Sequence, residues 1–148
     1  MKRRFFRRAA DERGVALIEA AITLPLLLLV SVGIFEFGRA YQHWQVVTNA
    51  SREGARVAVL PDVNDAAVSA RVKTYLAAGY LTSPQNATVV IDRQSVVSIG
   101  TNTAAASKVT VNYPFEFMVL QPVAQLVVSG STAGRPITMT ASTTMRNE

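Results

Sequence analysis

The chain has 148 residues, fifteen basic and ten acidic side chains for a net charge of +5, one histidine and no cysteine. That length holds one modest domain and a membrane segment but not two independent cores. Without cysteine there is no disulfide, thiolate metal site, cysteine nucleophile or lipoprotein attachment.

The charge is concentrated at the start. Residues 1–14 hold six basic and two acidic side chains, whereas the other 134 hold nine and eight. The high pI is therefore a topology signal, not a nucleic-acid footprint. From Ala20 to Phe35 sixteen consecutive residues carry no charge. Extended to Val15–Gly38, the stretch spans roughly 36 Å as a helix, against about 30 Å for a hydrocarbon core. Glu19 and Glu36 bracket it, and Pro25 predicts a bend or one broken hydrogen bond. The basic leader places the N-terminus in the cytoplasm and everything after about Gly38 outside.

Three readings of this segment compete. It is a plain single-pass anchor with an interfacial Glu19, a secretory signal cut after Ala40, or a prepilin-type signal cut between Gly14 and Val15. The order of basic leader, Gly14, four apolar residues, Glu19 and a long apolar helix matches the third. The cut frees the Val15 amine, largely cationic at neutral pH. Glu19 of a neighbouring subunit is then expected to pair with that amine as the helices bundle, because an unpaired charge in an apolar bundle is costly.

Leu24-Pro25-Leu26-Leu27-Leu28-Leu29, Gly33-Ile34-Phe35-Glu36-Phe37-Gly38-Arg39 and Thr48-Asn49-Ala50-Ser51-Arg52-Glu53-Gly54-Ala55-Arg56 resemble the TadE-like family. Its members are minor pilins or pseudopilins of tight-adherence, Flp-type pilus systems. Where that family reads Val-Glu-Phe around the acid, this chain has Ile18-Glu19-Ala20. The resemblance, specific over about residues 13–58, implies cleavage by a prepilin peptidase. It also implies partnership with other pilin or pseudopilin subunits and the assembly machinery at the inner membrane.

The helical pattern continues from residue 39 to about 60. Ala50, Gly54 and Ala58 form a small-residue stripe that permits close helix packing, against a partner or the chain's own sheet. Glu53 is placed to pair with Arg56. Tyr41 and Trp44 fall where an aromatic belt sits. His43 has no second ligand or nucleophile nearby and reads as a surface or interfacial residue.

Pro61 ends this helix, and an Asn/Asp cluster predicts a second one over about Asp65–Ala78 with Val68, Val72, Tyr75 and Leu76 inward and Gly79 as its stop. Strands are expected at Asn86–Arg93, Lys108–Phe115 and Ile137–Met145. Ser95–Lys108 reads as a strand end and flexible hairpin loop. Phe115–Val128 reads as a short broken helix or crossover, with Phe115, Phe117, Met118 and Leu120 favoured as core.

The expected organisation is thus a leader (1–14), a transmembrane helix (15–38), a juxtamembrane helix (39–60) and a small exported α+β domain (61–148). The overall class is pilin-like α+β, with about three antiparallel strands. The carboxylates Asp62, Asp65, Asp92, Glu116 and Glu148 are scattered, and no Gly-x-Ser-x-Gly, His-Glu-x-x-His or dinucleotide motif occurs. No enzyme, cofactor, metal or small-molecule substrate is expected. The sequence points to a minor pilin-like subunit, with an unprocessed single-pass envelope protein presenting a small binding domain as the alternative.

Overall fold

A computed structural model describes residues 11–127 and 129–147; the leader up to residue 10, Val128 and Glu148 lie outside the described residues. One helix, α1 (Asp11–Ala58), runs for 48 residues with Pro25 inside it, about 72 Å at 1.5 Å per residue. Its first half is bare: Leu17, Ile22, Leu26 and Leu28 are all more than half exposed. A helical stretch apolar all round and covered by none of the described residues needs an apolar solvent. Among the described residues α1 is the one helix long and apolar enough to cross a membrane.

From Glu36 onward α1 acquires an inward stripe. Glu36, His43, Val47, Ala50, Ser51, Gly54 and Ala58 are buried, at the spacings of three, four and seven that keep residues on one helical face. Helix α2 (Asp65–Ala78) lies beside α1 and turns Val68, Val72 and Leu76 into the same core. Its N-terminus is capped by Asn64, whose side chain accepts from the Ala67 N–H at 2.8 Å. Gly79 is its C-cap, as expected, but for a different reason. Its own φ is −80°, and the left-handed conformation falls on Tyr80 at φ 58°. What Gly79 supplies is space, because a Cβ there would collide with the Val46 side chain.

A single turn of 3-10 helix (Pro84–Asn86) leads into the sheet. Strands β1 (Thr88–Ile99), β2 (Asn102–Phe115) and β3 (Ile137–Arg146) are antiparallel in the order β1-β2-β3. The predicted loop at Ser95–Lys108 is instead strand: Ser95–Ile99 pairs with Asn102–Ala106, leaving only Gly100-Thr101 as the turn, with Gly100 at φ 65°. Alanines and threonines carry little hydrophobic alternation, so this outer half of the hairpin is specified by its turn and ladder hydrogen bonds. Arg93 and Gln94 form a bulge opposite Ser107, shaped by Asp92, which accepts from the Gln94 N–H and the Ser95 hydroxyl.

Helix α1 lies across β2 and β3. Val109, Val111, Tyr113, Phe115, Met139 and Ala141 meet it in the core. Ile137, expected on that face, is half exposed at the strand's start. The opposite face is a ladder of short polar groups, with Thr110 bonded to Ser142 and Thr140 donating to Asn112. Between β2 and β3 the short helix α3 (Leu120–Val127) holds Pro122 near its start, where a missing N–H costs nothing.

Candidate processing site and assembly helix

Gly14 and Val15 lie in the first turns of α1, one turn before Glu19. Nothing stands within 4 Å of where a Gly14 Cβ would be, and Val15 and Glu19 are exposed. The helix runs through the Gly14–Val15 bond unbroken. Glu19 is free of the packed half of the molecule and available to a second chain.

The small-residue stripe is placed against the chain's own domain. Ala50 and Ala58 are buried, and a Cβ built on Gly54 would stand 2.6 Å from Val72 Cγ2 and 3.1 Å from Val109 Cγ1. Gly54 thus lets α1 enter the wedge between α2 and the sheet. Beside it Glu53 receives Arg56 at 2.8 Å and also Arg71 of α2 at 2.8 Å. These two guanidiniums hold its carboxyl down to about 2.

Three features were not read from the sequence. The first is a clasp at Glu36. One of its oxygens accepts the Met118 N–H at 3.0 Å and the Val119 N–H at 2.8 Å, and the other accepts from Arg39 at 2.9 Å. Arg39 also donates to the Glu116 carbonyl at 2.6 Å and lies over the Phe115 ring. The Glu36–Arg39 spacing was a usable signal, but its backbone partners lie 77 to 83 residues away.

The second is Arg93. Freed by the bulge, it donates to the carbonyls of Ala58 and Val63 and to Asp65 at 2.7–2.9 Å, so a strand residue closes the end of α1. The third corrects His43, which is 6% exposed rather than a surface residue. Its ring packs 5.2 Å from Phe115 and 5.8 Å from Tyr113. Burial lowers its pKa, and the positive charge of Arg39 adds to that.

Tyr41 and Trp44 are exposed on α1 just past this clasp. Met118, expected in the core, is 70% exposed, whereas Phe115 is buried. Among the described residues no group of three or more His, Cys, Asp or Glu side chains is arranged to hold a metal ion.

What decides the relationship of this helix to known proteins is its own sequence. Residues 14–56 match the family model of TadE-like protein. The TadE-like segment begins at the glycine before Val15 and takes in Glu19, the bare half of α1, the Glu36–Arg39 pair and the packed stripe as far as Arg56. It leaves out α2 and the sheet. No curated protein and no solved structure matches the chain. The match lies wholly on α1.

Proposed function

We propose that the chain is a minor pilin-like subunit, a pseudopilin, for assembly of a tight-adherence, Flp-type pilus. In this reading it is held in the bacterial inner membrane by the first half of α1, with its N-terminus cytoplasmic and the α+β domain periplasmic. A prepilin peptidase cuts between Gly14 and Val15, and the apolar helix stays in the mature protein. The observation that carries the reading is the TadE-like match over residues 14–56 on a helix bare in one half and packed in the other.

Among the described residues the bare half has no hydrophobic partner, so it is served by lipid before assembly and by other subunits' helices afterwards. Val15's new amine, with a pKa near 8, needs a counter-charge as it leaves water. Glu19 of an adjacent subunit supplies it and favours one register, since a mis-registered helix would bury both charges unpaired. Partners are therefore the peptidase, fellow pilin or pseudopilin subunits and the assembly machinery.

Two measurements test this. Co-expressed with the peptidase, the mature protein is expected to start at Val15. A start at Met1 supports the unprocessed anchor, and one at Tyr41 a secreted domain. Glu19→Leu is expected to be cut like the parent but to be lost from assembled pilus fractions; normal assembly of that variant removes the role given to Glu19.

A further inference from the structure

The segment Phe117–Val127, FMVLQPVAQLV, carries two glutamines and no charge, and the uncharged run continues to Gly134. Such a stretch in a small domain belongs in its core, yet Met118 is 70% and Val119 45% exposed. Its position along α1 is fixed by the Glu36 clasp and by the Phe117 ring, edge-on to Phe37 at 6.3 Å. A hydrocarbon core of about 30 Å, entered at Val15, is crossed in about twenty helical residues. That count ends at Ile34. The exposed Met118 and Val119 at the head of this segment are therefore fastened within one turn of the outer boundary of the bilayer. Ile34 and Phe35, 68% and 80% exposed, line one groove together with Met118 and Val119, so exposed apolar side chains of the helix and of the segment stand side by side.

We propose that residues 117–127 form an interfacial element that lies in the headgroup–acyl boundary of the outer leaflet, so that the domain rests on the lipid surface as well as hanging from α1. The occupant of this face is lipid, and the inference rests on α1 crossing a bilayer. Short apolar segments at a membrane surface sit some 5–10 Å into that boundary. There, backbone groups without partners are costly. The clasp meets this requirement: Glu36 takes the two N–H groups that lead into α3, and Arg39 takes the Glu116 carbonyl. Glu36 is itself only 4% exposed, so this junction presents apolar side chains outward and keeps its polar atoms paired within.

The chain has no cysteine, so single cysteines can carry a fluorophore sensitive to its surroundings. Full-length Met118→Cys, Val123→Cys, Leu27→Cys and Thr101→Cys variants are labelled in phosphatidylcholine–phosphatidylglycerol vesicles. Nitroxide lipids carry the quencher near the headgroup or near the chain end. Labels at 118 and 123 are expected to shift to the blue and to lose emission chiefly to the shallow nitroxide. Leu27 should respond chiefly to the deep one, and Thr101, at the far hairpin, to neither. Quenching at 27 with none at 118 and 123 overturns the interfacial element while leaving the membrane helix intact. Emission at 118 that tracks protein-to-lipid ratio without quenching assigns the face to a second copy and equally overturns it. No quenching at 27 defeats the membrane helix and this inference together.

Discussion

His43 and Glu53 give the molecule two separate pH sensitivities. His43 is buried between aromatic rings, and its pKa is lowered from 6.5. The unfolded chain thus binds a proton near pH 6.5 that the folded one refuses, so the stabilisation is complete above that pH and is lost as pH falls below it. Glu53 is lowered from 4.5 to about 2 by Arg56 and Arg71. Its contribution is complete above 4.5 and disappears on the way down to about 2. Thermal melts of the reconstituted protein should therefore fall in two windows, and His43→Phe should flatten the upper one only. An unchanged upper window in that variant would show that another group titrates there. Of the lower window the sequence showed the Glu53–Arg56 pair but not Arg71, and the upper window was not legible in it. His43 stands alone among residues that read as helix surface, and its aromatic neighbours come from a strand seventy positions away.

At the level of elements, the wedge between α2 and the sheet depends on Gly54. A Cβ overlaps Val72, and larger side chains also meet Val109. Gly54→Ala should cost about 1–3 kcal/mol as an overpacked site, and Gly54→Leu should separate α1 from the domain, read as loss of the cooperative melt. The helices were the most legible part of the chain. α2 has its predicted bounds, because Asn64, the apolar spacing and Gly79 all mark the same segment. The hairpin was less so, since its outer half has adjacent Val96 and Val97 opposite alanines and no core to impose a period. At the clasps of Glu36 and Arg93 only the Glu36–Arg39 spacing was a signal, because the remaining partners are mainly backbone groups, which have no signature in side-chain pattern.

For the whole molecule, the packing of residues 61–148 draws on α1. The core includes Val47, Ala50, Ala55 and Ala58 of α1 together with Val68, Val109 and Val111. A fragment 61–148 would leave that face of the sheet and of α2 open, and a core so small tolerates no such loss. We expect it to be unfolded or aggregated by circular dichroism and sedimentation. A fragment beginning at Gly33 keeps both the stripe and the clasp and should melt cooperatively. Equal melting of the two would mean that α1 is dispensable to the fold.

The continuity of α1 has a directional consequence. Glu36 is locked towards the domain by its hydrogen bonds, and at 100° per residue the seventeen steps back to Glu19 bring that carboxylate to an azimuth about 100° away, apart from any deflection at Pro25. The helix therefore behaves as a compass needle between the two acids. If Glu19 pairs with a neighbour's amine as proposed, the bearing of the sheet is chosen at the same moment. One residue inserted between the two acids would swing that bearing by about 100° while leaving both acids in place.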